Sequence, residues 1–321
     1  MSVVFVLAVS ACSTDDVEPA PSVVSQADDD AGVATTSEEA VDEVPSTEPL
    51  SQEASGTLSV RLEHNGVTRQ AILYVPESYN AGGDAALMLN FHGFGDNAAS
   101  FMGAADMRAL AERDGFLVAY PQGTTLDGSP HWNAAPDWPD NKSDADDLGF
   151  VRALVAEIEG DYPFDSERLY ASGFSNGGMM AFALACHASD LVAAVGVVSG
   201  QLLDGEGVCT PTHPTAVITL HGTDDFVLPY EGNAGGLSTQ DALDFWVSFN
   251  QTATTPEVAS ENDGDISIER SIYSSGSGGV SVEHYRYEGG LHTWFQTGFE
   301  GSDASQLVWD FVARHDINGA R

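Results

Sequence analysis

From residue 57 onward the apolar positions of the chain switch between two periods. Residues 57–63 and 67–75 alternate apolar and polar around Asn65-Gly66, the signature of a hairpin. Residues 87–91, 116–120, 168–171, 192–198 and 216–220 are short, nearly continuous apolar runs and read as buried strands. Between them, helical spacing appears near 98–113, 147–160 and 176–187, and later near 239–250 and 303–314. A second hairpin, 266–273 with 280–287, is read as an extension of the same sheet. Strands alternating with helices predict an α/β domain over 57–321, a mostly parallel central sheet with helices on both faces. No internal repeat is visible.

The first 56 residues do not share this pattern. An apolar run at 3–9 is of signal-peptide length, too short to span a bilayer, and ends in Val9-Ser10-Ala11-Cys12. That string resembles a bacterial lipobox, so residues 1–12 are expected to direct export and Cys12 to be lipidated; the alternative is a plain secretory signal with an incidental cysteine. Residues 13–56 hold twelve acids, no Lys or Arg and no aromatic residue, and are expected to form a disordered, self-repelling linker. The chain is thus expected outside the cytoplasm, secreted or tethered to the cell envelope.

Charge narrows the function classes. The chain carries 49 Asp and Glu against 11 Lys and Arg, a net charge of −38. Such a surface repels phosphate backbones and anionic headgroups, so nucleic-acid binding is excluded and membrane contact is expected only through the lipid anchor. Without the linker, 37 acids still face 11 bases, and Lys142 is the only lysine. Acid-rich, lysine-poor surfaces resemble those of salt-adapted proteins; the alternative is that net charge only aids solubility.

The strongest chemical signal is Gly173-Phe174-Ser175-Asn176-Gly177-Gly178, which follows an expected strand and opens an expected helix. GxSxG in that setting is a nucleophile elbow, a turn so tight that only small residues fit around the serine. Alone it is weak; three further features raise it. The strand ending at Phe91 runs into His92-Gly93-Phe94-Gly95, the position of an oxyanion loop, which assigns the backbone N–H groups of Phe94 and Asn176 to the oxyanion hole. His92 there is expected to brace the loop rather than act as a base. The run 216–220 leads into His221-Gly222-Thr223-Asp224-Asp225, an acid at a strand's end. Gly289-Gly290-Leu291-His292 places a histidine in a glycine-flanked loop after the last strand. The order Ser, Asp, His is the one used by α/β hydrolases. A serine hydroxyl is a poor nucleophile at neutral pH, so His292 is expected to take its proton and a carboxylate to orient His292. Structural or solvated roles are expected for His64, His131, His187, His213, His284 and His315.

These strings, together with Leu184-Ala185-Cys186-His187 and Pro229-Tyr230, resemble the secreted polyhydroxybutyrate depolymerase and feruloyl esterase family of α/β-hydrolase serine esterases, over roughly residues 57–315. The resemblance implies the α/β-hydrolase fold, a serine carboxylic-ester hydrolase without cofactor, and Asp225 as the orienting acid, with Asp224 as the alternative. It also matches Trp132-Asn133-Ala134, in the loop above the site, and Asp146 to Phe150, at a helix start. Where the family often has proline after the tryptophan that follows the histidine, this chain has Phe295.

With Cys12 set aside, Cys186 and Cys209 remain and are expected to form a disulfide, the alternative being two buried thiols. No metal is expected: Asp140, Asp144, Asp146 and Asp147 lack EF-hand spacing, and helix capping explains Asp146 or Asp147 more simply. Trp132 and Trp294 are expected to line a substrate pocket, with Phe94, Trp138 and Met179 near it; packing in the core is the alternative, above all for Met179. The expected substrate is a small or oligomeric ester of hydroxyalkanoate type, the protein acting as a monomer; the alternatives are a feruloyl or acetyl esterase of plant cell-wall polysaccharide and, from another class, a non-catalytic surface protein on a hydrolase fold. No segment reads as a polymer-binding module, so soluble esters are expected to be cleaved faster than crystalline polymer.

Overall fold

The computed structural model describes residues 55–321 apart from 83, 137–142, 206 and 265. The signal and lipidation at Cys12, nearly all of the acidic linker, Trp138, Asp140 and Lys142 lie outside the described residues. The chain enters the sheet through β1 (Gly56–His64) and β2 (Val67–Val75), paired antiparallel around the positive-φ turn Asn65-Gly66. Then follow β3 (Leu87–Phe91), β4 (Leu117–Pro121), β7 (Leu169–Phe174), β8 (Ala194–Val198), β9 (Ala216–Gly222) and β12 (Val282–Tyr287). These six strands lie adjacent in the order β4-β3-β7-β8-β9-β12, every pair parallel. Their residues are almost all buried, as expected of strands covered on both faces. Antiparallel strands close both flanks: β1 and β2 beside β4, and β11 (Ile266–Tyr273) and β10 (Glu257–Asp263) beside β12. Residues 266–287 thus extend the sheet as expected, whereas β10, a largely polar and exposed edge strand, gave no apolar alternation to find.

Helices cover both faces. One core joins the parallel strands to α3 (Asp147–Asp161), α4 (Asn176–His187) and α5 (Thr239–Asn250) through Phe150, Leu154, Met180, Leu184, Leu243 and Trp246. The other uses α1 (Ala98–Ala104), α2 (Arg108–Asp114) and α6 (Ala304–Val312), with Trp309 stacked on Phe116 at 3.5 Å between ring centroids.

The single helix expected near 98–113 is two. At the break the hydroxyl of Tyr120 accepts from Met107 N–H at 3.1 Å and donates to Ala105 C=O at 2.9 Å. A buried hydroxyl from β4 satisfies both backbone groups, and nothing within the helical segment itself announces that partner. A further small hairpin, β5 (Thr124–Leu126) with β6 (Ser129–His131), turns at Asp127-Gly128, both at positive φ. Its Asp-Gly signal is present in the sequence and passed unread. Asp146 caps α3 by accepting from Gly149 N–H at 2.9 Å, while Asp147 is buried against Arg69 at 2.6 Å, so both are committed to protein partners. Cys186 and Cys209 are disulfide-bonded, tying α4 to the segment before β9 across 23 residues. Closing a loop of that length contributes about 3 kcal/mol by restricting the unfolded chain.

Candidate active site

The elbow is built by backbone sterics. Ser175 stands between β7 and α4 at φ 56° and ψ −120°, a conformation an L-residue holds only when its surroundings fix it. A Cβ on Gly173 would collide with the Gly177 carbonyl, and one on Gly177 with the Phe91 carbonyl. The motif's glycines are therefore required by contact, and Ser175 N–H donates to Val198 C=O at 3.0 Å to fasten the turn to β8.

The acid and base arrive on two loops from neighbouring parallel strands. Gly222, at the end of β9, packs backbone to backbone against Gly290, after β12, and Asp224 N–H donates to Gly290 C=O at 3.0 Å. This contact sets Asp225 beside His292. The His292 Nδ1–H donates to Asp225 Oδ2 at 2.7 Å, and the Ser175 hydroxyl donates to His292 Nε2 at 2.9 Å. Asp224, the alternative acid, is exposed and its carboxylate makes no hydrogen bond or ion pair with His292. The His292 loop is braced from below by Ser199, whose hydroxyl donates to Thr293 C=O at 3.0 Å.

The Asp225 side chain is fully buried, which by itself would raise its pKa. Hydrogen bonds from His221, His292 and Leu228 N–H outweigh burial and hold the carboxyl well below the usual carboxylate range. Asp225 is thus an anion throughout the neutral range, suited to stabilise an imidazolium without taking its proton.

The expected oxyanion groups flank Ser175 in the fold. Gly93 stands against Phe174 and Ser175, carrying Phe94 to the mouth of the site. Neither Phe94 N–H nor Asn176 N–H has an acceptor among the described residues, and Asn176 is the first residue of α4, where the helix dipole favours negative charge. His92 is fully buried, its Nδ1–H donating to Gly93 C=O at 2.8 Å and its Nε2 accepting from Gly123 N–H at 3.0 Å. Burial, more than any neighbouring charge, pushes its pKa down, so it braces this loop as a neutral ring.

Two substrate-lining expectations need correction. Trp132 is buried, edge-on to Phe91, with Nε1–H on His92 C=O at 2.9 Å. Trp294 is buried against Phe101, with Nε1–H on Ser305 Oγ at 3.1 Å. Both rings hold up the loops from beneath: an indole of this size buries more apolar area in the core than it would at a rim, and each finds a partner for its N–H there. Met179 packs against the core. Phe295, at the place where the family often has proline, stacks on Tyr287 at 3.8 Å and gives the His292 loop its exit.

Three features escaped the sequence reading. The Asn176 side chain both accepts from Trp132 N–H at 2.7 Å and donates to Trp132 C=O at 3.0 Å, clamping the loop after β6 to the elbow. His221 touches Asp225. Four exposed apolar side chains neighbour motif residues in the chain: Phe94 (58 % exposed) on the oxyanion loop, Phe226 (78 %) and Val227 (49 %) after Asp225, and Leu291 (55 %) before His292. Their places beside motif residues were legible, but exposure is not a property that sequence spacing reports.

A parallel sheet with an antiparallel flank, a serine at a strained strand-to-helix turn and a Ser-His-Asp chain of hydrogen bonds define an α/β hydrolase of the serine type. Residues 70–212 match the family model described as esterase PHB depolymerase. The chain is thus similar to esterases of the polyhydroxybutyrate depolymerase and feruloyl esterase type, the matched segment covering less than half of it. It is 27% identical over 262 residues to feruloyl esterase B of Piromyces equi, covering 78% of this chain and 46% of that protein. It is 30% identical over 230 residues to the putative esterase NocK of Nocardia uniformis subsp. tsuyamanensis, covering 65% of each. The chain thus spans 46% and 65% of the length of these two relatives. Among solved structures, an acetyl xylan esterase from Aspergillus awamori shares the fold with a TM-score of 0.57 at 15% identity, covering 80% of this chain and 99% of that one.

Proposed function

We propose that this chain is an exported serine carboxylic-ester hydrolase that works through an acyl-enzyme on hydroxyalkanoate esters and their oligomers. The observation that carries the chemistry is the continuous Ser175–His292–Asp225 hydrogen-bonded chain beside two unengaged N–H groups. Ser175 Oγ attacks the acyl carbon as its proton passes to His292 Nε2, and the carbonyl oxygen takes up negative charge between Phe94 N–H and Asn176 N–H. The tetrahedral adduct collapses, breaking the ester C–O bond, and His292 returns the proton to the departing alcohol. Water then repeats the sequence with His292 as base, releasing the acid and Ser175. The disulfide Cys186–Cys209 supports an oxidising compartment and hence export.

The exposed apolar side chains support the substrate class. A polysaccharide presents hydroxyls that call for polar partners, whereas Phe94, Phe226, Val227 and Leu291 offer apolar area suited to the alkyl groups of a polyester. The names of the relatives support a second reading, a feruloyl or acetyl esterase. A hydrolysis panel separates them: 3-hydroxybutyrate oligomers, methyl ferulate, acetylated xylan and p-nitrophenyl esters, with fluorophosphonate labelling of Ser175 as the control for chemistry. Fastest turnover of the hydroxybutyrate oligomers is expected, with Phe226→Ser losing more activity on polyester film than on soluble oligomer. Faster cleavage of methyl ferulate or acetylated xylan overturns the substrate class, and a folded protein whose Ser175 does not label overturns the esterase.

A further inference from the structure

We propose that His221 is a positioning residue for the Asp225–His292 pair, its Nε2–H holding the same carboxylate oxygen that orients the His292 imidazole. His221 lies at the end of β9 and is 2 % exposed. Its Nε2 stands 2.9 Å from Leu228 C=O and 3.2 Å from Asp225 Oδ2. A carbonyl can only accept, so Nε2 carries a proton whatever the charge of the ring. That one N–H is shared between Leu228 C=O, the shorter branch, and Oδ2, the longer, while His292 donates to Oδ2 from the other side at 2.7 Å. Oδ1 receives the N–H groups of Val227 and Leu228, each at 2.9 Å. Leu228 closes the arrangement: its N–H holds one carboxylate oxygen while its C=O holds the imidazole that binds the other.

A carboxylate with three full donors and a fourth shared with Leu228 C=O is fixed in orientation, and its charge is divided among them. Taking away the His221 donor leaves more of that charge to His292, which stabilises the imidazolium of the free enzyme and frees the carboxylate to rotate. Among the described residues, Asp225 is the only anionic contact of His221. Tyr230 meets it edge-on at 5.7 Å between ring centroids, and Thr239 Oγ1 at the start of α5 lies 3.5 Å from Nδ1. From β12 it faces Arg286, its partner in register, and His284. His284 is itself bound to Thr219 Oγ1 at 2.7 Å and Tyr230 OH at 2.9 Å, away from Asp225. Around His292 stand the Ser175 hydroxyl, Asp225 and the Phe174 ring at 4.8 Å.

The inference rests on the esterase reading, and its test is arranged to separate the two. Hydrolysis of p-nitrophenyl butyrate is followed from about pH 5 to about pH 9 for the wild type, His221→Gln and His221→Leu. Glutamine returns an amide N–H near the Nε2 position; leucine does not. The leucine variant is expected to move the acid limb of kcat/KM upward by about 0.5 pH unit. Its kcat is expected to fall about 10-fold with KM nearly unchanged, and glutamine to restore most of both. A leucine variant with the wild-type profile overturns the proposal, as does equal loss in the two variants, which marks packing alone. Should His221→Leu not fold, nitrogen-15 NMR of the wild type decides: His221 Nε2 stays protonated across the range, and an unprotonated Nε2 overturns the proposal. A wild type that hydrolyses no ester overturns the esterase reading and leaves the NMR measurement standing.

Discussion

The nucleophile side and the acid–base side of the site are held by different forces. Ser175 is fixed by backbone contacts that exclude any Cβ at Gly173, against Gly177, and at Gly177, against Phe91 at the end of β3, and by one backbone bond to β8. Asp225 and His292 are 67 residues apart and meet through side-chain hydrogen bonds and the approach of Gly222 to Gly290. Sterics give a position that is right or lost; hydrogen bonds give one that can be weakened by degrees. The two halves should therefore fail differently.

The largest effect is expected from Ser175→Ala, which removes the nucleophile and leaves the elbow's backbone in place. Activity falls about 10⁵- to 10⁶-fold while the melting temperature barely moves. Hydrolysis above that residue level means another group attacks. Next comes the acid: Asp225→Asn is expected to lower kcat by about 10⁴-fold, because an amide favours the wrong His292 tautomer. Asp224→Asn, at an exposed side chain, leaves kcat within about twofold. Reversal of these two results reassigns the acid.

Gly177→Ala probes the steric half. The added methyl has no room beside the Phe91 and His92 carbonyls, so the expected result is a loss of about 3 kcal/mol of stability or no folded protein, read by thermal melting. A stable Gly177→Ala variant would put the elbow's rigidity elsewhere.

The smallest effect concerns acid and belongs to the hydrogen-bonded half. Burial, then the neighbouring His221, pushes the His284 pKa down to about 3. A histidine whose folded pKa lies below its unfolded value of about 6.5 contributes stability that is complete above that pH and is lost as pH falls toward the folded value. Melting temperature is expected to decline by several degrees from about pH 6.5 to about pH 4, and His284→Gln to flatten that slope. Equal slopes in the two proteins remove His284 from the account.

The sequence by itself determined what short-range physics controls. Alternating periods placed most strands and helices within a few residues, because burial on one or both faces imposes those periods. The elbow was legible because its glycines stand within two residues of the serine at fixed spacing, although the Phe91 carbonyl that requires Gly177 is distant in the chain, and the order of Ser175, Asp225 and His292 followed the strands that carry them. What lay beyond it depends on partners distant in the chain. The break between α1 and α2 depends on a hydroxyl from β4. The turning of Trp132 and Trp294 into the core depends on which indole finds an acceptor beneath its loop. The second imidazole on Asp225 and the exposure of Phe94, Phe226, Val227 and Leu291 are decided by how the loops from separate strands fold over one another. Spacing fixes which residues reach the end of the sheet; only tertiary packing fixes which side chains turn inward to bond and which remain at the surface.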